Sequence, residues 1–176
     1  MTSVRKQLSS EKSIIERLHT AIKQNDAETL AELLRFAPDF DRNLALNFRT
    51  YEAARLCGYD VDITFDRSGW LKDKNLEDRC EVIRHEGNGY SIELYVLQHP
   101  NGKWVAGHDI QFALSGSSSM PNIFCDQYDS RTEALNIEID ALIVYAERDK
   151  NVKGHKEAAA VLRKQKAELC QLNLFA

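Results

Sequence analysis

The chain has 176 residues and a formal net charge of −4, with 43% hydrophobic and 28% charged residues. This length suits one domain of ordinary size, and the composition is typical of a globular protein. No run reaches the roughly 20 apolar residues of a membrane span, and the polar N-terminal residues lack the apolar segment of a signal peptide. We therefore expect a cytoplasmic protein with no membrane partner.

The N-terminal part, residues 1–58, has the apolar spacing of three amphipathic helices. Ser9 or Ser10 is the predicted cap of the first helix. Asn25 is the predicted cap of the second, because Glu28 three residues later completes a capping-box-like pair. These helices predict a small helical layer at the start of the chain.

A third helix is predicted from about residue 41 to residue 57, and Gly58 suits the left-handed position that follows a helix. After this helix the period of the hydrophobic pattern changes from helical to extended. In residues 60–66 apolar and acidic side chains alternate strictly, as in a strand with one solvated face.

A meander of strands follows, with glycine-containing turns between them. Strands are predicted at residues 80–85, 90–98 and 103–114, and hairpin turns at residues 86–89 and 99–102.

The rest of the chain combines a flexible stretch with two helices. Residues 115–121 are rich in serine and predict a surface loop, and residues 122–127 are a candidate fourth strand. Ser130 opens a long helix with a capping box, and good helix formers fill residues 155–170.

These elements predict an α+β fold in which N-terminal helices precede an antiparallel meander of three to four strands. C-terminal helices pack on that sheet, and an arm projects beyond it. The expected division is a helical part at residues 1–58, a sheet with a packed helix at residues 59–149, and a basic arm with a C-terminal peptide at residues 150–176.

The four cysteines are far apart, and no Cys-x-x-Cys pair exists. Metal knuckles and redox motifs need close spacing, so we expect free thiols in a reducing compartment and no metal or cofactor. The cysteines are Cys57, Cys80, Cys125 and Cys170.

Charge is spread unevenly along the chain. Seven cationic and four acidic side chains lie in residues 147–176, which gives that end +3 and leaves −7 for residues 1–146. An acidic body is repelled by nucleic acid phosphates, so only the basic end is a candidate for DNA contact. Its candidate residues are Lys153, Lys156, Arg163, Lys164 and Lys166.

The last residues carry the most specific pattern. The segment Gln171-Leu172-Asn173-Leu174-Phe175 places three large apolar side chains after a polar helix, where chain ends are usually frayed and polar. It resembles the short peptide by which bacterial DNA polymerases, mismatch-repair proteins and replication regulators bind the DNA sliding clamp. That pattern is Gln-Leu, a small polar residue, then Leu-Phe. Four of the five positions match it, and Asn173 replaces the commoner Ser or Asp.

The resemblance implies a role for each matching residue. Leu174 and Phe175 would fill an apolar pocket of the clamp, and Leu172 would occupy the adjacent groove. Gln171 would hydrogen-bond at the pocket edge through its amide. The alternative is that this segment folds back onto the protein's own core.

A set of acidic residues is a weaker candidate for a functional site. Asp60, Asp62 and Asp66 with Glu93 or His85 resemble the carboxylates of a metal-dependent nuclease, but their alternation also suits the wet face of a strand.

Acid–base and nucleophilic patterns are weaker still. Adjacent residues such as His108 and Asp109 point to opposite faces of a strand, so they form no preassembled pair. No Gly-x-Ser-x-Gly or phosphate-binding loop is present. The aromatic residues Trp70, Trp104, Tyr90 and Tyr95 are expected to fill the core rather than stack on bases.

The sequence therefore favours a non-enzymatic accessory protein of bacterial replication or repair, borne by a host or a mobile element, that binds the sliding clamp. Two alternatives stay open. One is a small metal-dependent nucleic-acid-processing enzyme. The other is a DNA-binding or antirestriction-type regulator that uses the basic end.

Overall fold

The computed structural model describes residues 1–36, 44–59, 79–148 and 153–172, apart from the side chain of Leu172. These residues form five helices and a four-stranded antiparallel sheet, which confirms the α+β fold. The predicted strand at residues 60–66 and Trp70 lie outside them. The elements in chain order are α1 (Glu11–Gln24), α2 (Ala27–Leu34), α3 (Leu44–Leu56), β1 (Glu81–Gly87), β2 (Tyr90–Gln98), β3 (Trp104–Phe112), β4 (Gly116–Ser119), α4 (Arg131–Glu147) and α5 (His155–Leu172).

The helix starts show which capping predictions the structure confirms. The Ser10 side chain accepts from the Ser13 amide at α1, and Ser130 accepts from the Glu133 amide at α4. The second prediction is wrong by one residue: Asp26 caps α2, while Asn25 closes α1 with a φ of 53°. Asparagine tolerates that left-handed conformation better than most residues, so it suits a C-terminal cap.

The sheet is a simple meander with the strand order β1-β2-β3-β4. The turn between β1 and β2 contains Gly89 at a φ of +93°, and the turn between β2 and β3 contains Gly102 at +81°. Both hairpins form where glycine supplies the left-handed turn residue, as predicted.

The edge strand β4 lies within residues 115–121, which the sequence predicts as a loop. The Phe112 amide donates to the Ser115 carbonyl at 2.7 Å, so a two-residue turn sends the chain back along β3. In the alternative stretch, residues 122–127, Gln127 forms only an isolated bridge with Thr2. Serine and glycine have low strand propensity, but pairing with β3 satisfies their backbone groups.

One face of the sheet packs against α4 and α5. Alternate strand residues point to this face, as the period of two requires. The fully buried members of this core include Ile92, Leu94, Ile110, Leu135, Ile139, Leu142 and Leu162.

The last helix is part of this core, which differs from the projecting arm that its alanine-rich face predicts. Ala158 and Leu162 are fully buried, and Ala159 and Leu169 are 3% exposed. Small side chains let helices approach closely, so an alanine face suits packing against α4. The residues after Leu172, which belong to the predicted arm, lie outside the described residues.

The opposite face of the sheet joins the N-terminal part. Leu97 and Val105 pack with Ala53, Ala54 and Cys57 at the end of α3. The first three helices also share a cluster of their own, which contains Leu18, Leu33, Phe36 and Phe48.

Candidate functional site

The segment that resembles a clamp-binding peptide begins in the last turn of α5. Leu169 is buried in the core, whereas Cys170 and Gln171 are exposed. Leu174 and Phe175, together with Asn173, lie outside the described residues. The structure therefore places the first residue of the segment at the solvent-exposed end of an anchored helix.

Three of the five candidate DNA-contacting residues form ion pairs with carboxylates. Lys166 Nζ lies 2.6 Å from both oxygens of Asp140, and Arg163 pairs with Glu147. Both carboxylates belong to α4. Lys164 Nζ lies 3.8 Å from Glu168 on its own helix.

These pairs weaken the positive field of α5, because each cation has an anion within 4 Å. Lys153 and Lys156 are exposed and form no ion pair within the described part of the chain. Glu147 and Glu168 are already counted in the +3 of residues 147–176, so Asp140 is the one additional carboxylate that these pairs bring to the basic end.

The predicted acidic set does not assemble among the described residues. Asp60, Asp62 and Asp66 lie outside them. Glu93 pairs with Arg84 and accepts from the Tyr95 hydroxyl, whereas His85 faces the other side of the sheet and lies 3.1 Å from Gln165 Oε1.

The hydrogen bonds that Glu93 accepts stabilise its ionised form. The hydrogen bond from the Tyr95 hydroxyl lowers the pKa of the Glu93 carboxyl most, and the bond from the Arg84 guanidinium lowers it further. The bond between Tyr95 and Glu93 also raises the pKa of the Tyr95 hydroxyl to about 12.

No group of three or more metal-ligating side chains occurs in the ranges that the structure describes.

Free thiols are found at all four cysteines, as expected. Cys57 is fully buried, and desolvation raises the pKa of its thiol to about 12. Such a thiol is unreactive, because the thiolate is the nucleophile.

The expected core role is confirmed for two of the three aromatic residues that are described. Tyr90 and Trp104 pack against the main core, as partly buried side chains at its margin. Tyr95 instead lies on the opposite face of the sheet from the main core, where its hydroxyl donates to Glu93.

A polar cluster that the sequence did not predict lies between the sheet and α4. His108 on β3 is 9% exposed, and its two ring nitrogens have different partners. Nδ1 contacts Oε1 of Glu138 on α4, and Nε2 lies 3.0 Å from Oγ of Ser117 on β4. The neighbour Asp109 is on the other face of the sheet, as expected, and bonds Gln111.

Glu138 also lines a cavity of about 340 Å³ beside this cluster. The cavity is bordered by Arg5, Ser119, Asp126 and Tyr128 among other residues. Sequence spacing gave no signal for the cluster, because its three residues come from three elements. The only sequence hint is that Ser117 lies in a serine-rich stretch.

No protein-family model, curated protein or solved structure was found to match this chain. Within the described ranges, every helix is too short or too polar to cross a membrane.

Proposed function

We propose that this chain is an accessory protein of bacterial DNA replication or repair that binds the DNA sliding clamp through residues 171–175. The observation that carries the proposal is the match of Gln171, Leu172, Leu174 and Phe175 to the clamp-binding pattern. At average residue usage, four fixed positions of this kind occur by chance in roughly one window per 50,000–100,000. The chain offers fewer than two hundred windows.

The position of Gln171 supports this proposal. Its side chain is exposed, and the preceding turn is held by the buried Leu169. A peptide that follows an anchored helix keeps a defined starting point, which limits the entropy lost when it binds.

Binding requires a local change of structure. Gln171 and Leu172 are helical in the free chain, whereas a peptide whose alternate side chains fill pockets is extended. The last carbonyls of a helix lack intrahelical partners, so unwinding this turn costs little.

The side chains set the expected affinity. Burial of one large apolar side chain contributes about 1.5–3 kcal/mol, so three contribute about 5–9 kcal/mol before the cost of association. Since micromolar binding needs about 8 kcal/mol, we expect micromolar affinity or weaker.

The test compares variants of the full chain in binding to a purified bacterial clamp. Replacing Leu174 and Phe175 by alanine should lower the affinity at least about 100-fold, because both side chains leave the apolar pocket. Asn173→Ala is the matched control, since that side chain faces away from the clamp in the proposed pose. Equal binding by the double variant and the wild type would contradict the proposal.

Contact with DNA is a subordinate part of the proposal. Lys153 and Lys156 are the two candidates without an ion pair in the described ranges. Two phosphate contacts give a slope of about −2 for the logarithm of affinity against the logarithm of salt concentration. A much steeper slope would mean that the paired residues of α5 also contact DNA.

A further inference from the structure

The cluster of Ser117, His108 and Glu138 has the connectivity of a nucleophile, a base and an orienting carboxylate. The Ser117 hydroxyl lies 3.0 Å from His108 Nε2, within the range expected for a nucleophile and its base. The other ring nitrogen is held by Glu138. Each group comes from a regular element, so all three are positioned by the same core that fixes β3, β4 and α4.

The hydrogen bonds determine where the imidazole proton lies. A carboxylate only accepts hydrogen bonds, so Nδ1 of His108 carries a proton and donates a hydrogen bond to Glu138. In the neutral form of the ring Nε2 then has a free lone pair, which can accept from the Ser117 hydroxyl 3.0 Å away. This is the tautomer in which Nε2 can take the serine proton.

The register of β4 places a hydrogen-bond donor beside the nucleophile. Phe112 and Ser115 are a hydrogen-bonded pair, and such pairs alternate along an antiparallel ladder. Ser117, paired with Ile110, therefore bonds inward to β3, whereas the amides of Gly116 and Ser118 point outward from the edge.

A separate bond agrees with this register. The Gly116 carbonyl accepts from the Tyr145 hydroxyl at 2.9 Å, so it too points away from β3. The amide of the residue after the nucleophile is thus directed at the open edge, where an oxyanion would form.

We propose that this cluster is a serine-nucleophile site that cleaves carboxylic esters. Ser117 Oγ bonds to the ester carbonyl carbon while its proton moves to His108 Nε2, and the Ser118 amide stabilises the oxyanion. Collapse breaks the bond to the leaving alcohol, which takes the proton from Nε2. Water then repeats the sequence, releasing the acid and restoring Ser117. Glu138 acts as a positioning residue through His108.

Exposed apolar side chains lie on the helix that carries Glu138 and in the turn before the strand that carries Ser117. Ile137 and Val144 are 49% and 59% exposed on α4, seven residues apart and so on one side of that helix. Leu114, in the turn that leads into β4, is 89% exposed. We expect these side chains to favour an apolar acyl group of several carbons over acetate.

The test is covalent labelling of the full chain by an alkyl fluorophosphonate, followed by mass spectrometry. The probe phosphonylates the serine oxygen and releases fluoride, so one adduct on Ser117 is expected. Ser117→Ala should abolish labelling, while Ser119→Ala, two residues along the same strand, should retain it. Absence of an adduct from the folded wild type, or an adduct on another residue, would overturn the proposal.

The roles of His108 and Glu138 are tested by the rate at which the fluorophosphonate labels Ser117. His108→Gln should slow labelling about 100-fold or more, because the general base is lost. Glu138→Gln should slow it as well, and Glu138→Asp should recover part of the rate at an unchanged melting temperature. Hydrolysis of p-nitrophenyl butyrate should exceed that of the acetate and follow the same order of variants. Labelling that is undiminished in both His108→Gln and Glu138→Gln would refute the assigned base.

Discussion

At the scale of single residues, the buried His99 ties the turn after β2 to the end of α3. It is 2% exposed, Nδ1 lies 3.1 Å from the Tyr59 hydroxyl, and Nε2 has no hydrogen-bond partner among the residues that the structure describes. Burial, and then the nearby charge of Arg79, lower the pKa of this histidine from 6.5 to about 4. The ring is therefore neutral in the folded protein at pH 7.

This histidine predicts a loss of stability in mild acid. The unfolded chain binds a proton near pH 6.5 while the folded chain resists it down to about 4. The contribution is thus complete above pH 6.5 and is lost as the pH falls towards 4, by up to about 3 kcal/mol. Urea unfolding at pH 7.5 and at pH 5 measures the difference in the free energy of unfolding between the two conditions. His99→Gln should reduce the difference, and His19→Gln, at an exposed position, should preserve it.

Residue-level prediction from sequence succeeded where the partner was local. Ser10 and Ser130 cap helices because their acceptors reach amides three residues away. Ser117, His108 and Glu138 meet only because β3, β4 and α4 pack together, so no local pattern predicts them.

At the scale of elements, a strand could be predicted from the sequence only where its own residues alternate between apolar and polar and a turn residue precedes it. Strand β2 alternates strongly and follows a glycine turn, and its predicted and observed bounds agree. Strand β4 is Gly-Ser-Ser-Ser and has no such signal, because its pairing is imposed by β3.

The end of α5 gives an element-scale prediction about clamp binding. If residues 171 and 172 must leave the helix, a residue that weakens the last turn should favour binding. Cys170 is exposed, so it can be replaced by glycine or alanine without loss of core packing. The two differ by about 1 kcal/mol in helix propensity, so Cys170→Gly should bind up to about five-fold more tightly than Cys170→Ala. Tighter binding by Cys170→Ala would show that the bound segment stays helical.

At the scale of the whole molecule, the core on α4 and α5 explains why an alanine-rich, basic helix is not an arm. Ala158 and Ala159 let α5 approach its neighbours closely, and Arg163 and Lys166 reach carboxylates of α4. The basic charge of α5 can be counted directly from its sequence. The sequence does not show the pairing, which depends on how two helices lie side by side.

The proposed role of residues 171–175 makes a prediction about stability. Leu162 is fully buried, so Leu162→Ala should lower the free energy of unfolding by about 2–5 kcal/mol. Removal of residues 173–176 should change it by less than about 0.5 kcal/mol, because a presented peptide contributes no core contacts. Urea denaturation of both variants measures this. A loss of several kcal/mol on truncation would favour the alternative in which Leu174 and Phe175 pack on the protein itself.

The most direct measurement is a calorimetric titration of a purified bacterial sliding clamp with the full chain and with a chain that ends at Cys170. We predict saturable binding of micromolar affinity or weaker for the full chain, and no binding for the shortened chain at the same concentrations. Equal binding by the two chains, or no binding by either at concentrations well above micromolar, would contradict it.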